Sequence, residues 1–313
     1  MKQRFKIVFM GTPDFSVPSL EALHADGHEL ALVVTRPDKP KGRGRKLDAP
    51  PVKKSAVKLG LTVIQPPSLR DEAARQALRT AQADFFVVVA YGHILTETIL
   101  AMPGQGCINV HASLLPRYRG PAPIHWAVIN GEKETGVTTM LMDKGLDTGD
   151  ILLKTVEPVA AGDTAGSLHD RLAVLGARLL CRTLDGLAEG TIQRIPQEHA
   201  LATYAPLLKK TDGLIDWRKP AALIESFIRG MNPWPGAFTF WGGRRLKIFR
   251  TETAAATTAA PPGTIVKASA HELTVATGRG DLAILEIQEA SGSRLPIAEF
   301  LRGFRIAPGD MLA

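Results

Sequence analysis

Residues 85–90 read FFVVVA and residues 107–110 read CINV. Neither run alternates apolar with polar, and both favour β-branched or aromatic residues. A short continuous run of that kind is what a strand covered on both faces presents. Towards the N-terminus, residues 5–10 (FKIVFM) form a third such run, closed by Gly11-Thr12-Pro13. Val17, Leu20 and Leu23 then recur every three residues, which predicts a helix that stops near Gly27. Residues 30–34 and 137–142 (VTTMLM) are further strand candidates. Strands alternating with helices predict an α/β fold, a Rossmann-like doubly wound and mostly parallel sheet. Ligands of such sheets bind beyond the carboxyl ends of the strands, so the loops there carry the functional reading.

The texture changes after about residue 201. Trp217, Phe227, Trp234, Phe238, Phe240 and Trp241 enrich this part in aromatics. Short β-type runs at residues 245–249 (RLKIF) and 273–276 (LTVA) are punctuated by Gly-Gly, Pro-Gly and Gly-Arg-Gly. That pattern suits a small antiparallel barrel or sandwich, and a smaller C-terminal β-barrel (OB-like) domain is expected. Residues 251–262 (TETAAATTAAPP) are low in complexity and read as an exposed loop within it. The expected division is residues 1–203 and 204–313.

Composition excludes several classes. The 313 residues contain no apolar stretch of about eighteen, the length a membrane-crossing helix requires. The apolar run near the N-terminus is too short for a secretory signal, so a soluble cytoplasmic protein, a monomer, is expected. Two cysteines, Cys107 and Cys181, provide neither a disulfide framework nor a zinc site, and no metal is expected. The net charge of +7 suits polyanionic partners, although what matters is where the charge sits.

Asn109-Val110-His111 closes an apolar strand. Successive strand side chains face opposite ways, so Asn109 and His111 share a face while Val110 packs. An amide beside an imidazole at a strand exit suits acyl transfer: both can stabilise an oxyanion, and the imidazole can move a proton. On spacing alone, a pair that merely caps a turn is the simpler reading. A carboxylate that could orient the imidazole comes from the turn Gly145-Leu146-Asp147-Thr148-Gly149-Asp150. Asp143, Asp147 and Asp150 are all available there, and spacing does not rank them.

Residues 107–120 read CINVHASLLPRYRG, and the match to one known pattern continues through PAPIHWAVINGEKETGVTTMLMDKGLDTGDIL to residue 152. This stretch resembles the folate-dependent formyltransferase family. The resemblance implies that Asn109, His111 and Asp147 take the family's catalytic places. It implies that Ser113, Leu114, Leu115 and Pro116 form the folate-binding loop. Tyr91, Gly92, Ile94 and Leu95 are implied to line the pterin pocket, largely through backbone groups, with His93 a loop residue rather than a catalyst. The implied donor is 10-formyltetrahydrofolate.

The family's acceptors include a purine precursor, an amino sugar, water and the methionine on initiator tRNA. Gly11-Thr12-Pro13-Asp14-Phe15 is not a dinucleotide fingerprint. It resembles the opening of the tRNA-directed and amino-sugar-directed branches. Residues 36–47 (RPDKPKGRGRKL) hold six basic residues and one acidic, with prolines and glycines that forbid a regular helix. Such a loop can track a phosphate backbone, although charge runs are commonly just solvated. It resembles the loop by which the tRNA-directed branch reaches the acceptor end, with Arg43 at its important arginine and Lys41, Arg45 and Lys46 beside it. Tyr204-Ala205-Pro206, Lys209-Lys210 and Arg229-Gly230-Met231-Asn232-Pro233-Trp234-Pro235 resemble that branch's linker and second domain, with Lys209 and Lys210 implied to touch tRNA. The implied partner is therefore initiator methionyl-tRNA, with an amino-sugar nucleotide as the alternative acceptor.

Overall fold

A computed structural model describes residues 3–41, 46–255, 258–290 and 292–313, with the side chains of residues 41 and 46 left out. Among the described residues, the first part of the chain supplies nine strands: β1 Lys6–Gly11, β2 Glu29–Val34, β3 Lys39–Lys41, β4 Lys46–Asp48, β5 Val63–Ile64, β6 Phe85–Val89, β7 Gly106–His111, β8 Glu134–Leu141 and β9 Ile151–Pro158. Seven of them form one sheet in the order β5-β2-β1-β6-β7-β8-β9. The pairs β1·β2, β1·β6, β2·β5 and β6·β7 are parallel, and β7·β8 is antiparallel. The two runs that predicted the sheet, β6 and β7, lie side by side at its middle with Val87 opposite Ile108.

Every residue of β6 is buried, which is why that strand shows no alternation. Val8, Met10, Val34, Phe86, Leu78 and Ile99 form one continuous apolar cluster with it. Burying a side chain of this size stabilises the fold by about 1.5–3 kcal/mol. The predicted first helix spans Val17–Ala25, with Leu20 and Leu23 buried and Pro18 in its first turn, where a missing N–H costs nothing. A 24-residue helix, Ala165–Ala188, contains Gly176, where a β-carbon would come 3.0 Å from Val110 Cγ1. That close approach presses the helix onto β7, the strand that carries the site.

The fold divides into two compact units. One comprises Met1–Pro123, Thr135–Pro158 and His169–Ala205; the other comprises Ile124–Glu134, Val159–Leu168 and Pro206–Ala313. The second unit carries β10 Ala237–Trp241, β11 Arg244–Ala254, β12 Ile265–Ser269, β13 Glu272–Ala276, β14 Asp281–Glu289 and β15 Leu295–Pro296. They pair in the order β10-β11-β14-β13-β12, with β15 on β14, and the pairs are antiparallel. The chain's last residues bond to both ends of that order. Ala313 exchanges backbone hydrogen bonds with Phe240, while Ile265 N donates to Asp310 O and Leu312 N to Gly263 O. The tail thereby covers both edges and closes the sheet into a barrel.

One sequence expectation is corrected here. Residues 251–254 belong to β11 rather than to an exposed loop, because Thr251 to Ala254 continue the ladder with β14. Thr251 is buried, as its inward register position requires. Among the described residues, no helix is long and apolar enough to cross a membrane.

Candidate active site

β7 ends at His111 on the carboxyl edge of the sheet, between β6 and β8. Its pairing with β8 sets Asn109 opposite Met140 and His111 opposite Thr138. After β8 the chain turns through residues 142–150, and Leu141 N donates to Asp150 O as β9 begins. Gly149 permits this return: a β-carbon there would lie 1.7 Å from the Leu141 carbonyl oxygen. The turn brings Asp147 back alongside β7.

The three side chains meet. Asn109 Nδ2 donates to Asp147 Oδ1 at 3.4 Å, and Asp147 Oδ2 lies 3.7 Å from His111 Nδ1. The Gly120 N–H donates to Asp147 Oδ2 at 2.8 Å. His111 is 7% exposed and the Asp147 side chain 12%, so their interaction is only weakly screened by water. The turn's other aspartates serve different ends. Asp143 Oδ1 accepts from Gly145 N and from Thr148 Oγ1, a side-chain-to-backbone turn, and Asp150 contributes its carbonyl to β8.

The imidazole's tautomer follows from its other neighbour. His111 Nε2 lies 2.9 Å from the Tyr118 carbonyl oxygen, which can only accept, so Nε2 carries the proton. Nδ1 then presents its lone pair beside Asp147. Tyr118 is itself held in the left-handed region (φ 60°), with its N–H bonded to Thr203 Oγ1 at 2.8 Å. Thr203 carried no signal in the sequence: a single threonine in an irregular stretch gives none.

Residues 113–116 leave β7 as a tightly held loop. Ser113 and Leu115 are fully buried, whereas Leu114 and Pro116 are partly exposed. Thr138 Oγ1 donates to Ser113 O and accepts from Leu115 N, and Ser113 Oγ donates to Arg117 O. Lys154 Nζ on β9 donates to Leu115 O at 2.9 Å. Thr138 and Lys154 are supports that no motif in the sequence marks.

The 91–95 loop follows β6. Tyr91 and Leu95 are buried in the core cluster, while Ile94 is 89% exposed. Gly92 has φ 82°, which glycine adopts without strain, and its carbonyl accepts from Arg36 Nη1 at 3.4 Å. Burial pushes the Tyr91 phenol up to about 12. Burial, with the charges of Arg36 and Lys39, holds the His93 imidazole below its ordinary value, so the ring is neutral at pH 7. Anchored side chains thus leave this loop's backbone and Ile94 at the surface.

Of the basic residues expected to meet tRNA, Arg43 and Arg45 lie outside the described residues. Lys41 and Lys46 are backbone partners in the β3·β4 ladder. Lys209 and Lys210 are exposed in the second unit, beside the turn Lys210–Gly213. Among the described residues, no group of His, Cys, Asp or Glu could hold a metal.

An amide, an imidazole and a carboxylate meet at the carboxyl edge of a doubly wound sheet, an arrangement that could serve acyl transfer. The formyl transferase family matches residues 5–184, and its C-terminal domain matches residues 207–305. The chain belongs to the formyl transferase family and is an enzyme of it. It is 50% identical over 308 residues to the methionyl-tRNA formyltransferase of Desulforamulus reducens, covering 98% of this chain and 97% of that one. It is 52% identical over 306 residues to the methionyl-tRNA formyltransferase of Pelobacter propionicus, covering 98% and 95%. Among solved structures it resembles the N-formyltransferase of Helicobacter canadensis bound to folinic acid and dTDP-3-aminofucose. That likeness has a TM-score of 0.68 at 18% identity, over 91% of this chain and 99% of that one. HypX from Aquifex aeolicus, solved with tetrahydrofolic acid, has a TM-score of 0.64 at 17% identity, over 99% and 51%. These structures share the fold.

Proposed function

We propose that the enzyme transfers the formyl group of 10-formyltetrahydrofolate to the amino group of methionine esterified to initiator tRNA. The observation that carries this reading is identity of about half, over nearly the whole chain, to methionyl-tRNA formyltransferases. The relative solved with an amino sugar is far more distant, at 18% identity. The product, N-formylmethionyl-tRNA, starts translation, and the cytoplasm is the compartment in which this tRNA is charged and used.

The reaction joins the methionine nitrogen to the formyl carbon, breaks the bond from that carbon to the folate nitrogen, and moves a proton from amine to folate. The chain's residues serve each need. Asn109 presents its amide N–H to the oxygen on which negative charge grows. His111 accepts the amine's proton at Nδ1, since Nε2 already donates to Tyr118 O. Asp147 stabilises the resulting imidazolium. The 113–116 loop, pinned by Thr138 and Lys154, and the exposed backbone of residues 91–95 receive the folate. Both loops are rigidly anchored, which suits a site that must hold two reactants in near-attack geometry.

Lys41, Arg43, Arg45 and Lys46 in the first unit, and Lys209 and Lys210 in the second, supply affinity for tRNA phosphates. Free methionine and its tRNA ester present the same amine, so selection comes from the tRNA.

The deciding assay offers the purified enzyme 10-formyltetrahydrofolate together with methionyl-initiator tRNA, methionyl-elongator tRNA or a dTDP-amino sugar. Formylation of the initiator species, with little on the other two, is expected. A sugar product with none on tRNA would replace this reading by the amino-sugar one.

A further inference from the structure

Asp147 is a residue with a β-carbon held at φ 53°, in the left-handed region. Such a conformation persists only where its surroundings over-determine it. One side chain does much of that here. Gln197 Nε2 donates to the carbonyl of Asp147 itself at 2.9 Å and to that of Gly149 at 2.7 Å. Its Oε1 accepts two bonds from Arg119, from Nε at 3.1 Å and from Nη2 at 2.7 Å. The amide's orientation is therefore unambiguous: two carbonyls demand donors on one side and a guanidinium demands an acceptor on the other.

Both residues are buried, Gln197 at 6% and Arg119 at 2% exposure. Arg119 Nη2 also lies 3.2 Å from His199 Nδ1. The chain runs from Arg119 directly into Gly120, whose N–H bonds the Asp147 carboxylate. Backbone and carboxylate of Asp147 thus hang from one connected set of hydrogen bonds. A guanidinium so deeply buried, gripping a neutral amide, is an expensive arrangement for packing alone.

We infer that Gln197, locked by Arg119, is a positioning residue: it fixes the turn that aims the Asp147 carboxylate at His111 Nδ1. The inference rests on the proposed role of Asp147 in the transfer. Gln197→Glu separates the two halves of the device. It keeps an acceptor for Arg119, and gives that guanidinium a carboxylate partner. It cannot donate to the Asp147 and Gly149 carbonyls, and it repels them.

The test compares Gln197→Glu, Arg119→Lys and Asp147→Asn in the full chain, reading kcat, the KM for methionyl-tRNA and the melting temperature. Gln197→Glu is expected to lower kcat about 30-fold with KM inside about two-fold, the pattern of an interaction used only in the transition state. Its melting temperature should fall, because two buried carbonyls lose their donor, so the split between kcat and KM carries the test. Arg119→Lys, which keeps the charge but loses the fork, should lower kcat by about three- to ten-fold. Adding Gln197→Glu to Asp147→Asn should cost nothing further, because the positioned group is already gone.

A native kcat in Gln197→Glu overturns the inference. So does a kcat loss matched by an equal rise in KM, which is the mark of a purely structural role. If Gln197→Glu fails to fold, Arg119→Lys decides by the same criteria. A native kcat in Asp147→Asn is a different failure, that of the role assigned to Asp147.

Discussion

His111 makes its structural bond through one ring nitrogen and faces Asp147 with the other, so its substitutions should separate stability from activity. His111→Ala leaves the buried Tyr118 carbonyl without its donor, a loss of about 1–3 kcal/mol, and removes the proposed proton acceptor as well. The expected fall in kcat is about 10²–10⁴-fold, with tRNA affinity kept, read by single-turnover formylation and equilibrium binding. His111→Gln can donate to the Tyr118 carbonyl again but cannot take up a proton. It should recover much of the stability lost in His111→Ala and none of the rate. Recovery of the rate would refute the proton role. The two cysteines differ for a physical reason too. Burial raises the Cys107 thiol to about 12, so it is protonated at pH 8 and sealed in the core, whereas Cys181 is only half-buried. Iodoacetamide at pH 8 should label Cys181 in the native enzyme and reach Cys107 only in urea, as peptide mass spectrometry would show; equal labelling of both in the native state would contradict this.

Among the elements, the antiparallel pair β7·β8 matters most, because it decides where the turn after β8 ends up. Gly136 in β8 has no room for a side chain: a β-carbon would come 2.0 Å from Thr155 O and 2.6 Å from Leu114 Cδ2. Gly136→Ala must therefore push β9 and the 113–116 loop aside, at a cost of about 1–3 kcal/mol. Urea unfolding should show a lower midpoint at unchanged slope, and the KM for the folate donor should rise; an unchanged midpoint would mean the strands yield freely. What the sequence made legible follows the same logic. β6 was readable because complete burial writes itself as an unbroken apolar run, and β7 because only the partly buried Asn109 interrupts its apolar residues. Asn109 and His111 were paired by the two-residue period of a strand. Asp147 was not separable from Asp143 and Asp150, since the difference lies in a turn whose path is fixed by Gly149, by Gly120 N and by a glutamine fifty positions away. Gln197 and Thr203 were invisible for that reason: they act through backbone groups distant in sequence, and no periodicity marks them. The 251–254 stretch misled in the other direction, because its small and polar residues resemble a loop while its register with β14 makes it strand.

At the scale of the whole molecule, the net charge of +7 has to be related to one particular polyanion. The reacting atoms of the amine are identical in free methionine and in its tRNA ester, so the energy that distinguishes them comes from interactions far from the chemistry. Binding to phosphates releases condensed counterions, and its contribution weakens steeply with salt. The site proposed for the folate donor is small and built of backbone groups, so donor binding should respond far less. Raising potassium chloride from about 50 to 200 mM is therefore expected to raise the KM for methionyl-tRNA by an order of magnitude or more, and that for 10-formyltetrahydrofolate by less than about two-fold. Lys209 and Lys210 are exposed in the second unit, where a charge change disturbs little packing. In Lys209→Glu/Lys210→Glu, the slope of log affinity against log salt should shrink by about one for each phosphate that is no longer neutralised. The kcat at saturating tRNA should stay native, because the centre around His111 is untouched. An unchanged slope would remove these two lysines from the tRNA surface and leave its basic face to be sought elsewhere, first along Arg244, Lys247 and Arg250 of β11.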